Sequence, residues 1–311
     1  MRVSLIMPRI AIPLIAFIVA TGSQILAEQR IEKNVVYGMY SGLALLMDVY
    51  HPETPNGYGV IFISGSAWQA RLIYGAPALK EQQIPDWGPT LLRAGYTVFA
   101  INHRAAPRFQ YPAAVEDVQR AVRFVRHNAR PFGIDPGKLG GLAGSSGGHL
   151  IGLVAMLAAP GLANDPDSVN QEPATLQCIV IRAAPTDMMK MIGGSTLGTG
   201  AVVSFLGRLL TPNPEDQKIY RDASAITYVA ASSPPTLLLH GDADETVPYG
   251  QSVAMEAALR AVNVPVKLVT VHGGVHGSNF GKDGKLHPQF PEVLTETVSW
   301  FDRYLKPSSK N

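Results

Sequence analysis

The chain has 311 residues, 46% of them hydrophobic and 16% charged, with a formal net charge of +2 at pH 7. That length suits one large domain or two small ones, and the composition excludes both a disordered chain and one embedded in a membrane throughout. A charge so close to neutral leaves no electrostatic case for binding nucleic acid.

The first residues stand apart. MRVSLIMPR carries two arginines and no acid, IAIPLIAFIVA is an apolar run of eleven, and TGSQILA ends in a small residue. This is the plan of a secretory signal peptide, and the run falls short of the roughly 20 residues that span a bilayer. Cleavage is expected near Ala27, leaving 28–311 as a single domain; retention as an uncleaved anchor is the alternative. Removing 1–27 takes away Arg2 and Arg9 and no acid, which brings the charge of +2 to zero. A periplasmic or secreted location is expected, with no stable membrane association after cleavage. The single cysteine, Cys178 in LQCIVI, cannot form an internal disulfide and reads as a small core residue.

NVVYGMY and LALLMDVYH come next and read as an antiparallel pair. VIFIS follows, then a helix ending in WGPTLLRAG, then the strand YTVFAINH. In AAVEDVQRAVRFVRHNA, Val115, Val118, Val122 and Val125 recur at helical spacing on one face. KLGGLAG, a helix from Gly148, LQCIVIRA, TLLLHG, the helix SVAMEAALRAV, VKLVTVHG and the helix PEVLTETVSWFDRYL complete the series. Strands alternating with crossover helices predict a mostly parallel sheet of eight strands, covered on both faces and edged by the antiparallel pair. Residues 188–232 contain no convincing strand and are expected to form a helix-and-loop excursion over the sheet, a lid or substrate wall.

GLAGSSGGHL, at 141–150, places two serines between a strand and a helix. A G-x-S-x-G sequence in that setting lifts a serine hydroxyl above the sheet edge on a strained turn. Centring on Ser146 puts Gly144 and Gly148 at both glycine positions, whereas centring on Ser145 puts Ala143 and Gly147 there. The pattern favours Ser146, with Ser145 as the alternative, and makes the amide of Gly147 an oxyanion donor.

A serine hydroxyl needs a base and an orienting acid. In this topology they follow the serine in the order acid, then histidine. TLLLHGDADETVP offers Asp244, standing further into its loop than Asp242, with Asp187 of APTD more remote. HGGVHGSNF offers His276 in a glycine-loosened loop and His272 beside the strand; His276 is favoured. His149, His240 and His103 read as structural. His272 and His276 are separated by glycines, which argues against a metal pair. In the loop SGSAW, Ser64 to Trp68, backbone amides are placed to meet the same oxyanion.

SGSAW, NHRAAP at 102–107, YPAAVEDVQRAVRFVRHNARPFGIDPGKL leading into GLAGSSGGHL, YRDASAITYVAASSPPTLLLHGDADETVP and HGGVHG together resemble α/β-hydrolases of the carboxylesterase and lipase type. The likeness is to the bacterial branch that includes feruloyl and acetylxylan esterases. It implies the α/β-hydrolase fold, with a helix/loop insertion after strand 6 and no cofactor. It also implies Ser146 as nucleophile, Asp244 as acid, His276 as base, and the amides of Ser66, Ala67 and Gly147 as the oxyanion hole. In place of the family's usual His-Gly-Gly, this chain has Ser64-Gly65-Ser66, which narrows the space for bulky alcohols.

The expected activity is hydrolysis of carboxylic esters through an acyl-enzyme. The expected substrates are acetyl or feruloyl esters of plant polysaccharide, or small esters. Two other readings are an exported serine peptidase of the prolyl-cleaving type and an inactive binding protein on the hydrolase scaffold. The peptidases usually carry a large accessory domain, and inactive relatives typically lose a triad member.

Overall fold

The computed structural model describes residues 30–306 except 72, 74–76 and 282–284, so the leader expected at 1–27 lies outside the described residues. The first hairpin is β1 (Ile31–Tyr40) and β2 (Leu43–Tyr50), joined antiparallel. Five short aliphatic runs then form strands buried along their whole length: β3 (Gly59–Ile63), β4 (Thr97–Ile101), β5 (Leu139–Gly144), β6 (Cys178–Arg182) and β7 (Thr236–Gly241). Strands covered on both faces need no polar side, which is why these runs are mostly apolar rather than alternating, with polar side chains such as Arg182 and His240 near strand ends. With β8 (Val266–Val271) they make one eight-stranded sheet in the order β1-β2-β4-β3-β5-β6-β7-β8. Among the described strands of this sheet, only the pairings of β1 with β2 and β2 with β4 are antiparallel. The architecture is the one expected from the sequence.

One face of the sheet carries α1 (Ile84–Arg93) and α7 (Phe290–Leu305), whose Trp87, Leu91, Phe301 and Leu305 share one buried cluster with Val60 and Phe62 of β3. The other carries α2 (Ala113–His127), α3 (Ser145–Leu157) and α6 (Gly250–Ala261). All four valines picked out by periodicity in α2 are buried there, each side chain stabilising the fold by about 1.5–3 kcal/mol.

Between β6 and β7 the chain forms α4 (Thr196–Leu206) and α5 (Pro214–Asp222), with short 3-10 turns at Met189–Met191 and Ala225–Tyr228. Ser195 and Asn213 start the two helices, their side chains accepting from the Gly198 and Glu215 amides. Val202, Phe205 and Tyr220 anchor the excursion in the core on the α2–α3 side. One boundary differs from expectation. The helix predicted from Gly148 starts at Ser145, so β5 passes into α3 without an intervening turn.

Candidate active site

The junction of β5 and α3 decides which serine is presented. Gly144 is extended (φ −125°, ψ 153°) and Ser145 has φ +52°. A non-glycine residue in that region is strained, and the strain aims its side chain away from both strand and helix. Ser145 Oγ lies 3.0 Å from His276 Nε2, and His276 Nδ1 lies 2.7 Å from Asp244 Oδ2. The structure therefore brings Asp244 and His276 together with Ser145.

Ser146 is a correction to the sequence expectation. It lies one residue into the first turn of α3, is 1% exposed, and accepts a hydrogen bond from the Ser66 amide at 2.8 Å. The glycines that pointed to it serve other neighbours. A Cβ on Gly144 would stand 2.1 Å from Arg182 Nη2, and one on Gly148 2.7 Å from Ala184 Cβ. Their symmetry about Ser146 thus reflects packing and does not mark the exposed hydroxyl. The same register shift corrects Gly147: the amide following Ser145 is that of Ser146, and Gly147 packs on the strand β3 carbonyl.

Asp244 sits past the end of β7 and is almost fully buried. Burial pushes its carboxyl upward, but His240, His276 and the Val247 amide outweigh that and hold it well below the usual carboxylate range. The amides of Thr246 and Val247 donate to Asp244 Oδ1 at 2.9 Å, leaving Oδ2 for the imidazole. His240 Nε2 stands 3.3 Å from the same Oδ2, and its Nδ1 is 2.7 Å from Ser252 Oγ. Asp242 pairs with His272 at 2.8 Å on an exposed edge. Asp187 accepts from the Met189 amide and faces Lys190 at 3.4 Å. Neither joins the group around Ser145.

The 64–68 loop lies against the elbow. A Cβ on Gly65 would be 2.7 Å from Ser145 Cβ, so only glycine allows this approach. Gly65 N–H donates to Gln83 Oε1 at 3.1 Å, and Ala67 and Trp68 both have positive φ (56° and 57°). Trp68 is buried; it stacks on Phe205 at 4.7 Å and donates from Nε1 to His149 Nδ1 at 3.0 Å. His149 Nε2 donates to the Ala223 carbonyl at 2.7 Å, tying the loop to the excursion. Burial pulls the His149 pKa down to about 4, so it is neutral, as its acceptor role toward Trp68 requires. Burial likewise pushes the Cys178 thiol up, and it is inert core.

A cavity of about 250 Å³ opens at this point. Ser66, Ala67, Ser145, Ser146 and His276 line one side, and Trp68, Val247 and the excursion residues Met191, Leu197 and Ala201 give it an apolar wall. Among the described residues, no group of three or more His, Cys, Asp or Glu could hold a metal ion, and no helix is long and apolar enough to cross a membrane. Three residues at the site escaped the sequence reading: Gln83, His240 as a partner of Asp244, and Arg182. The available signal for Arg182 was a lone cation ending an otherwise apolar strand run, LQCIVIRA.

The BD-FAE family model matches residues 47–259. Esterase LipC of Mycobacterium tuberculosis is 28% identical over 260 residues, which cover 79% of this chain and 59% of that protein. The acetylxylan esterase of Xylanibacter ruminicola is 24% identical over 255 residues, covering 82% of this chain and 47% of its own length. The chain thus spans about half the length of the curated relatives it matches. Among solved structures, a truncated carbohydrate esterase from gut microbiota is 26% identical and superposes with a TM-score of 0.70, covering 88% of this chain and 96% of that one.

Proposed function

The chain belongs to the BD-FAE family and has the α/β-hydrolase fold, and on that premise we propose that it is a serine carboxylic ester hydrolase with Ser145 as nucleophile. The observation that carries this reading is the unbroken relay from Ser145 Oγ through His276 to Asp244, at 3.0 and 2.7 Å.

In this reading His276 Nε2 takes the Ser145 proton as Oγ attacks the ester carbonyl, while Asp244 holds the Nδ1–H tautomer and stabilises the imidazolium. The alkoxide of the tetrahedral intermediate falls between the amides of Ser146 and Ala67, while the Ser66 amide, expected as a third donor, is engaged by Ser146 Oγ at 2.8 Å. Each such donor contributes about 10²–10³ in rate. His276 then protonates the departing alcohol, and water, activated the same way, releases the acid from the acyl-enzyme. No step calls for a cofactor.

A cavity with an apolar wall suits the acyl group of an ester, with the alcohol directed to solvent. Acetyl or feruloyl esters of plant polysaccharide fit that arrangement, in line with the named activities of the acetylxylan and carbohydrate esterases above. An exported enzyme, as residues 1–27 lead one to expect, meets such polymers outside the cell. The test is acid release from native acetylated xylan, with Ser145→Ala as the blank. Acetate or ferulate from the parent alone supports the proposal; no acid from xylan, with turnover of 4-nitrophenyl acetate, restricts it to small esters.

A further inference from the structure

Arg182 is among the largest side chains fully enclosed in the protein, at 1% exposure, and it lines the cavity that holds Ser145 and His276. Its position follows from strand register. β5 and β6 pair in parallel with Gly144 opposite Arg182, which sets the guanidinium directly beneath the elbow. A side chain at 144 would collide with it, Cβ standing 2.1 Å from Nη2 and 2.6 Å from Cζ.

Its acceptors are neutral groups on two other loops. Nη1 donates to the Gly277 carbonyl at 2.5 Å, the residue after His276. Nη2 donates to Gln83 Oε1 at 3.3 Å, and that same oxygen accepts the Gly65 amide at 3.1 Å. Gln83 holds the loop a second time, its own amide donating to Ser64 Oγ at 3.3 Å. One planar cation thus touches the nucleophile elbow, the base loop and, through one glutamine, the oxyanion loop.

Resting on the reading of Ser145 as nucleophile, we propose that Arg182 is a positioning residue, holding His276 and the 65–67 amides in register with Ser145. A guanidinium is suited to this because its rigid fork serves two acceptors in different directions, which an ammonium at one point cannot do. Burial pulls the Arg182 pKa down to about 10, with Asp244 and Asp86 acting against that, so the group stays cationic at neutral pH. The base loop has separate supports, since Trp87 Nε1 donates to the Ser278 carbonyl at 2.9 Å and Asp86 accepts from Ser278 Oγ. Loss of Arg182 therefore loosens alignment more than it unravels the loop. Misplacement of about 1 Å at a reacting group costs roughly 100-fold in rate.

The test measures R182M, R182K and Q83L by two readouts. One is the rate of phosphorylation of Ser145 by diethyl 4-nitrophenyl phosphate, with the adduct located by peptide mass. The other is kcat and KM for 4-nitrophenyl acetate. The expected result is a loss of roughly 100-fold in labelling and kcat for R182M, with KM changed less than threefold. R182K falls between parent and R182M, Q83L loses roughly tenfold, and Q83L/R182M loses less than the product of the two single losses, because the Arg182–Gln83 link is common to both. Folded variants that label within twofold of the parent, or whose loss lies in KM, overturn the proposal. Should R182M fail to fold, Q83L and R182K decide it by the same criteria. A parent protein that takes up no organophosphate at Ser145 overturns the nucleophile assignment and this proposal with it. A parent that labels alongside variants that label equally fast overturns only the role of Arg182.

Discussion

Ser145 Oγ lies 3.0 Å from His276 Nε2, while the hydroxyl of the next residue, Ser146, is turned into the protein to accept the Ser66 amide at 2.8 Å. Two adjacent serines in one glycine-rich turn thus have unequal chemistry, because the left-handed backbone at Ser145 separates their directions.

Replacing each serine separates these roles. Ser145→Ala is expected to lower kcat on 4-nitrophenyl acetate by about 10⁴–10⁶-fold, as loss of a triad nucleophile does. Ser146→Ala removes only the tie to the oxyanion loop and should cost about tenfold or less, nearer the effect of one weakened donor. The reverse ranking in a steady-state assay would return the nucleophile to Ser146.

Gly144→Ala tests the packing beneath the elbow. Its Cβ has no room beside the Arg182 guanidinium, so one of the two must move. We expect a stability loss of about 1–3 kcal/mol in urea unfolding, accompanied by a lower kcat. Unchanged unfolding and turnover would show that the guanidinium can give way freely.

His149 gives the protein a pH-dependent stability. Its pKa is lowered to about 4 in the folded state by burial, against about 6.5 in the unfolded chain. Between those values the unfolded chain binds a proton that the folded one refuses, so stability is complete above about pH 6.5 and declines as pH falls toward 4. The decline from this group is about 3 kcal/mol. His149→Phe, although less stable at pH 7 because it leaves Trp68 Nε1 without its acceptor, should show a shallower loss between pH 6.5 and 4.5 in urea titrations. Equal slopes for parent and variant would remove His149 from the account.

Asp244 acts over a lower range. Its carboxyl is depressed in the folded state, so its contribution is complete above the unfolded value of about 3.9 and is lost as pH falls through the depressed one. Asp244→Asn is expected to reduce kcat by about 10⁴, as the wrong imidazole tautomer is favoured. The stability gap between parent and variant should hold from pH 7 to 5 and narrow below pH 4. A gap that widens on acidification would mean that the carboxylate is not held in its charged form.

The excursion wall predicts acyl selectivity. Leu197 and Met191 border the cavity, and trimming Met191 to alanine should raise kcat/KM for butyryl over acetyl 4-nitrophenyl esters by about 10-fold, the range one or two methylenes allow. An unchanged ratio would place the acyl chain elsewhere.

The order of strands and helices was legible in the sequence because it rests on local periodicity. Buried strands such as VIFIS and TLLLHG must be largely apolar, and the valines of α2 must recur on one face. The loops carrying Asp244 and His276 were legible for a related reason, since a parallel sheet delivers successive loops to one edge. The identity of the presented serine was not legible. A glycine before or after it can answer to an elbow or to any neighbour that comes too close, and only the assembled sheet shows that Gly144 makes room for Arg182 and Gly147 for the Ile63 carbonyl. Arg182 itself became visible through the register of β5 against β6, and register is set by pairing between segments about 40 residues apart in the chain. Composition and period determined which elements form and in what order. The close contacts between strands that are distant in sequence decided which hydroxyl faces the histidine.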